Sequence, residues 1–272
     1  MPLIDLATYD GPDRVISVTE MQEEIRKSAK SLTFSVKSRI TGLDEACDGF
    51  RGGELVSISG PTKNGKSLLS QTLTKNFYKQ NYLSLWFSFE LPPKQFIDCF
   101  RDELPVIYMP KILKAADMAW IEDRIMESFM KYRTRIVFLD HLHYLFDIAR
   151  AKSPSIEIGT VIRKLKLLAV REGFLIFLMC HTTKAKSEDG DTSYEHIRDS
   201  SMVAQESDTV FIVQRRPKIA ENAATCSVEF HRRTGVIKKK IWLAKQQDGF
   251  MYEVMPPEEP EEAKTRRKHW TD

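Results

Sequence analysis

The stretch of residues 59–67, SGPTKNGKS, constrains this chain more than any other. It follows the apolar alternation of Leu55, Val56 and Ile58 and precedes a helical run, so it has to turn a strand into a helix. Gly60, Gly65, Lys66 and Ser67 satisfy the spacing G-x-x-x-x-G-K-[ST]. Glycines at those places let backbone N–H groups close around phosphate oxygens at a helix N-terminus; the lysine reaches the β- and γ-phosphates and the hydroxyl ligates Mg²⁺. The loop formed by Gly60, Pro61, Thr62, Lys63, Asn64, Gly65, Lys66, Ser67 and Leu68 is therefore expected to hold ATP or another nucleoside triphosphate, with Ser67 on Mg²⁺. The competing reading, a glycine turn without a ligand, does not explain why the pattern falls between a strand and a helix.

Around this loop apolar runs alternate with helical patterns. ELVSIS, YLSLWFSF, RIVFL, FLIFLMC and TVFIV are apolar on both faces, which argues for a mostly parallel central sheet flanked by helices, an α/β fold. The clearest helix runs from about residue 155 to 172, with Ile158, Val161, Ile162, Leu165, Leu168 and Ala169 on one face and Gly173 as its stop. Beyond residue 225 the pattern reads as antiparallel hairpins turning near Thr234-Gly235 and Asp248-Gly249. No internal repeat is visible.

The 272 residues suffice for one core with short appendages. A net charge of +3 fits polyanion binding without demanding it. Cys47, Cys99, Cys180 and Cys226 form no C-x-x-C pair, which argues against a zinc ribbon or a disulfide framework and for thiols in a reducing compartment. With no leader-like N-terminus and no membrane-length apolar run, a soluble protein of the cytoplasm, or of the host cytoplasm if the chain is viral, is expected, with no membrane partner. Residues 1–36 hold one helical signal, with Thr19 and Gln22 as a capping box and a thin stripe of Met21, Ile25 and Ala29. So narrow a face suits docking, either on its own domain or on a neighbouring subunit. Residues 256–272, with proline and blocks of opposite charge, read as a disordered tail or a partner-binding one.

Ligands of an open parallel sheet collect at the carboxyl ends of its strands. Asp140 ends RIVFL and suits Mg²⁺; Glu90 ends YLSLWFSF, where a carboxylate orients or deprotonates water; His181 ends FLIFLMC and is placed to sense a γ-phosphate. Each alone would be an ordinary polar residue at a strand end, and it is the set that points to a site. His141 and His143 flank Asp140, but an i, i+2 pair without further spaced ligands argues for hydrogen bonding beside the site or a surface loop rather than a protein-held zinc. Arg232 and Arg233 lie at a hairpin tip, from which a guanidinium reaches either solvent or a neighbour's γ-phosphate.

TGLDEACDGFRGGELVSISGPTKNGKS, SFE, FLDHLHYL, CHTTK and HIRDSSMVAQESDTVFIVQR together resemble, in order, the RecA-like ATPase domain of DnaB-type replicative helicases, over about residues 36–255. His181, in place of the glutamine usual in bacterial members, resembles the phage primase-helicase and Twinkle group. The resemblance implies a RecA-like P-loop NTPase in a ring, usually a hexamer, encircling single-stranded DNA. It implies Lys66 and Ser67 as the phosphate and magnesium residues, Glu90 as base, Asp140 as second acidic residue and His181 as phosphate sensor. Arg232 aligns best with the finger given to the adjacent subunit, the doublet leaving Arg233 open. The helix around Met21 is similar in place to the family's linker helix, and Arg150, Lys152, Lys184 and Lys186 fall on the loops that face DNA, diluted by Glu188, Asp189 and Asp191. RDSS, with Ser201, departs from the family's RxSG turn. A zinc module, a primase domain and the bacterial helical domain are not recognisable, so a separate primase, polymerase or loader is the expected partner.

The resulting expectation is an N-terminal linker-type segment at 1–36, a helicase ATPase domain at 37–255 and a tail at 256–272. Two rivals stay open: a RecA- or RadA-like recombinase or regulatory ATPase, and a nucleotide-binding accessory or loader protein that unwinds nothing.

Overall fold

The computed structural model describes residues 7–11, 13–28, 34–101, 103–146, 153–181 and 200–257, and the chain divides into two units, residues 1–34 and 35–272. In the first unit helix α1 (Val18–Ser28) begins where Ser17 accepts the Glu20 N–H on its Oγ at 3.1 Å and the Met21 N–H on its carbonyl at 2.9 Å. Ser17 is therefore the N-cap, and the expected box of Thr19 and Gln22 is set two residues too late. A cap must be the last residue before the helical backbone, and Thr19 is already inside the first turn. Arg14 reinforces this start through Asp10, Glu20 and Glu24. Of the expected apolar stripe, Met21 is exposed, while the Ile25 side chain and Ala29 lie outside the described residues.

The second unit opens with a small antiparallel pair, β1 (Ser35–Val36) and β2 (Phe50–Arg51), around α2 (Thr41–Cys47). Its main sheet is built from β3 (Leu55–Ser59), β4 (Ser84–Ser88), β5 (Ile107–Tyr108), β6 (Ile136–Asp140), β7 (Leu175–Met179), β8 (Thr209–Arg215), β9 (Ala223–His231), β10 (Ile237–Lys245) and β11 (Met251–Glu253). Their spatial order is β11-β10-β9-β8-β3-β7-β6-β4-β5. From β8 to β5 every pairing is parallel, and β9, β10 and β11 continue the sheet antiparallel. The helices are α3 (Lys66–Tyr78), α4 (Pro93–Asp98), α5 (Met118–Tyr132), α6 (Pro154–Glu172) and α7 (Ser200–Glu206). The expected mostly parallel sheet, the long helix stopped by Gly173 in the left-handed region, and both C-terminal hairpins are all present.

Period-two alternation explains why the strands are apolar throughout. Leu55, Leu85, Phe87, Val137, Leu139, Ile176 and Leu178 point to one face and join Ile121 and Ile125 of α5 and Ile162 and Leu165 of α6. Their neighbours point to the other face, where Trp86, Phe138 and Phe177 stack across β4, β6 and β7 with ring centroids 4.6 and 4.7 Å apart. Phe77 of α3 and Phe50 of β2 close over that layer. Trp86 escapes an unpaired indole N–H by donating to Thr74 Oγ1 of α3 at 3.0 Å. Cys47, Cys180 and Cys226 are buried free thiols, and burial pushes the first two up to about 12. No helix among the described residues is long and apolar enough to cross a membrane.

One buried group makes this fold sensitive to acid. His231 ends β9 and is 1% exposed. Its Nδ1 accepts the Thr234 N–H at 3.1 Å, which puts the proton on Nε2, and Nε2 has no hydrogen-bond partner among the described residues. Burial first, then the Arg233 guanidinium, push this imidazole down from 6.5 to about 4, with Asp208 opposing. Between those two values the unfolded chain binds a proton that the folded chain refuses, so stability is complete above the higher value and drains as pH falls toward the lower. The loss attributable to His231 reaches about 2 kcal/mol near pH 5. Urea denaturation of the wild type and His231→Asn near pH 7.5 and pH 5 checks this: the variant should lose less on acidification, and equal losses would refute the assignment.

Candidate functional site

β3, β7, β6 and β4 lie side by side and parallel. Groups at or just past their carboxyl ends must gather along one edge of the sheet. Gly60, His181, Asp140 and Glu90 are those groups. The loop after β3 turns back over the end of β8, and a Cβ at Gly60 (φ +145°) would lie 2.1 Å from the Val213 carbonyl oxygen. Only glycine fits there. Gly65 takes φ +95° just before α3. Asn64 pins the loop to β8 by accepting the Arg215 N–H at 2.8 Å and donating to the Thr62 carbonyl at 3.0 Å.

Lys66 is 6% exposed, and its Nζ donates to the loop's own carbonyls, Gly60 O at 2.9 Å and Pro61 O at 3.0 Å. Burial pushes its pKa down, and Asp140 and Glu90 push it back up. Ser67 Oγ donates to Asp140 Oδ2 at 2.8 Å. Asp140 is 3% exposed; burial raises its pKa and the Ser67 hydrogen bond opposes that rise. A hydroxyl and a carboxylate oxygen so close together, beside a buried ammonium, suit a hard cation such as Mg²⁺ and the phosphates it accompanies. The residues present therefore fit the expected nucleotide and metal.

Glu90 stands at the rim of a cleft of about 520 Å³, shared with the loop residues Thr62 to Leu68, Leu91, Tyr144 and His181. Its Oε1 lies 3.0 Å from His141 Nε2 and 3.1 Å from His181 Nε2. The His141 and His181 hydrogen bonds, in that order, hold this carboxyl far below the usual carboxylate range despite partial burial. Both bonds fall on one oxygen and leave Oε2 to accept a proton. Glu90, His141 and His181 also offer three ligand atoms within 4.8 Å of one another. His141 Nδ1 accepts the His143 N–H at 3.3 Å, which directs a proton on Nε2 toward Glu90.

Tyr144 enters this site without having been expected in it. Of the two bland readings open for His141, hydrogen bonding beside the site is the one realised. Tyr144 lines the cleft and stacks on Phe89, ring centroids 5.4 Å apart; the only trace it leaves in the sequence is its position four residues past the strand-end Asp140. Arg150, Lys152, Lys184 and Lys186, the expected DNA contacts, all lie outside the described residues.

The arginine doublet divides cleanly. Arg233 is 26% exposed and wholly engaged in its own chain, with Glu54 at 3.2 Å, Asp48 at 3.1 Å, Cys47 O at 2.7 Å and Gly49 O at 3.0 Å. Arg232 is 55% exposed, donating to Gln205 O at 2.8 Å with Asp208 at 3.5 Å. Thr209 pairs with His231 and Val56 with Thr209, so Arg232 sits where β3 and β8 begin. The loop that opens the cleft sits where β3 ends, five residues or about 15 Å along the strand. Arg232 and its own chain's cleft are therefore on opposite edges of the sheet.

No family model matches the chain, and no curated protein matches it. In structure it is similar to a DnaB-like replicative helicase solved with its interactions with primase, at a TM-score of 0.73 and 18% identity over 91% of this chain and 68% of that one. It is similar to a second solved structure, an isolated ATPase domain, at a TM-score of 0.73 and 18% identity, over 88% of this chain and 97% of that one. The fold is thus the RecA-like P-loop NTPase fold seen in DnaB-type ATPase domains.

The two arginines should respond differently to truncation. Arg233→Ala strips a buried carboxylate and two carbonyls of their donor and should cost about 2–4 kcal/mol of stability. Arg232→Ala should cost less than about 1 kcal/mol. Urea denaturation of the two variants measures both; similar losses would mean the doublet is not divided in this way.

Proposed function

We propose that this chain is a helicase-type motor: it hydrolyses ATP or another nucleoside triphosphate at interfaces between copies of itself and uses the step to move along single-stranded DNA and open duplex during replication. The observation that carries the reading is the position of Arg232, exposed on the edge of the sheet opposite its own cleft, in a fold shared with DnaB-type ATPase domains. A guanidinium so placed serves a cleft only in a neighbouring copy, and a ring of six is the arrangement the likeness favours. Residues 1–36 would act as the linker between copies, 37–255 as the motor and 256–272 as a tail. The likeness to a helicase solved with its interactions with primase favours a separate primase, polymerase or loader as partner.

In this reading Lys66 releases the carbonyls of Gly60 and Pro61 to take phosphate oxygens, exchanging one set of acceptors for a charged one. Ser67 and Asp140 would hold Mg²⁺, which would supply charge neutralisation at the phosphates. Glu90, kept ionised by its two imidazoles, orients the attacking water and accepts its proton. His181, directly past β7 on the cleft wall, turns to the γ-phosphate. Arg232 of a neighbouring copy stabilises the charge spread over the transferring group, an effect worth about 10³ or more in rate where such arginines have been tested.

Lys66→Ala should abolish DNA-stimulated nucleotide hydrolysis, and unchanged activity would overturn the reading. Glu90→Ala and Arg232→Ala should each be inactive alone. Mixed in equal amounts they should regain activity, since about a quarter of interfaces then pair an intact Glu90 with an intact Arg232. No recovery in the mixture would argue for a site complete within one chain.

A further inference from the structure

His141 differs from the other groups around the cleft in being held from every side. It is buried directly after β6, and its Nδ1 accepts the His143 N–H at 3.3 Å as the cap of the short 3₁₀ turn Leu142–Tyr144. An imidazole whose Nδ1 accepts a backbone N–H carries its proton on Nε2. That Nε2–H points at Glu90 Oε1, 3.0 Å away. The ring is boxed by Tyr144 at 5.0 Å and His181 at 4.2 Å between centroids. His181 is less constrained: its Nε2 meets the same Glu90 oxygen, but its buried Nδ1 has no hydrogen-bond partner among the described residues. His141 is held at both ring nitrogens, whereas among the described residues His181 is held at one.

We infer that His141 is the positioning residue of the hydrolytic site, anchoring Glu90 through a permanent Nε2–H···Oε1 bond while His181 exchanges its own bond to Glu90 for one to the nucleotide. This rests on the proposed role of Glu90 as base. With His181 turned away, a Glu90 carboxylate lacking His141 would be an exposed side chain free to rotate, and the water it orients would lose its alignment. With His141 in place one oxygen stays bound and the other keeps its aim. Loss of such alignment lowers the chemical step by about 10- to 100-fold while leaving substrate binding intact.

The test compares His141→Phe, His141→Gln and Glu90→Ala in the full chain with DNA. His141→Phe keeps the ring and removes the donor; His141→Gln places an amide N–H near the position of Nε2. His141→Phe should lower kcat about 10- to 100-fold with KM within about twofold of wild type, and His141→Gln should recover to within about fivefold. Nitrogen-15 NMR of the histidine-labelled, nucleotide-free protein, assigned by the signal lost in His141→Gln, should show a proton on His141 Nε2. An unchanged kcat in His141→Phe, a rise in KM that accounts for its defect, equal defects in both variants, or a His141 Nε2 without a proton would each overturn the inference. If His141→Phe does not fold, His141→Asn, whose amide is too short to reach Glu90, replaces it against the same criteria. Activity retained in Glu90→Ala would instead overturn the role of Glu90 itself, and an inactive Glu90→Ala beside a fully active His141→Phe would remove only the positioning role.

Discussion

Parallel pairing of β3 with β7 on one side and β8 on the other is what the rest of the molecule hangs on. Strands that run the same way end along one edge, so a glycine loop, a histidine and two carboxylates far apart in sequence come together without any contact designed between them. The pairing holds because both faces of these strands are apolar and covered, α5 and α6 on one side and the aromatic layer under α3 on the other. The glycine at position 60 is the local condition of that arrangement. Any side chain there would drive the loop off the Val213 carbonyl and so separate it from β8.

The charged groups along this edge are satisfied within the chain itself. Lys66 rests on two carbonyls of its own loop and Glu90 on two imidazoles. Leaving any of them buried and unpaired would cost more than one hydrogen bond, so the resting contacts keep the fold stable. Exchange of a neutral acceptor for a phosphate oxygen then adds charge without adding desolvation, since Lys66 is already out of water. Asp140 is the least exchangeable of the set, tied to Ser67 and nearly inaccessible.

Most of the scaffold was legible because its signals are local and redundant. ELVSIS, RIVFL and FLIFLMC are too short and too evenly apolar to be surface helices, and the loop at 59–67 states its own context. What resisted reading depends on single atoms. Ser17 and Thr19 offer the same hydroxyl, and only the backbone tells which one precedes the first turn. Arg232 and Arg233 are identical in sequence terms, but the turn after β9 sends one inward onto Glu54 and the other outward. His141 carries no spacing signal at all, because its link to Glu90 is made across β6 and β4, which are neighbours in the sheet but far apart along the chain.

The doublet is divided between an engaged residue and an exposed one. Arg233 staples the turn after β9 to the carbonyls of Cys47 and Gly49 and to Glu54 at the start of β3, so the turn cannot drift. Arg232 is thereby presented from a rigid base, with α7 held behind it through Val203 in the core and the Glu206–Arg163 ion pair. A long cation displayed from a fixed turn loses less entropy on meeting an anion than one displayed from a loop. Because that cation and the glycine loop occupy opposite edges of one sheet, a contact that joined them between copies would pair unlike surfaces. Such a contact repeats head to tail, and whether it closes into a ring or runs on as a filament is set by the rotation from one copy to the next.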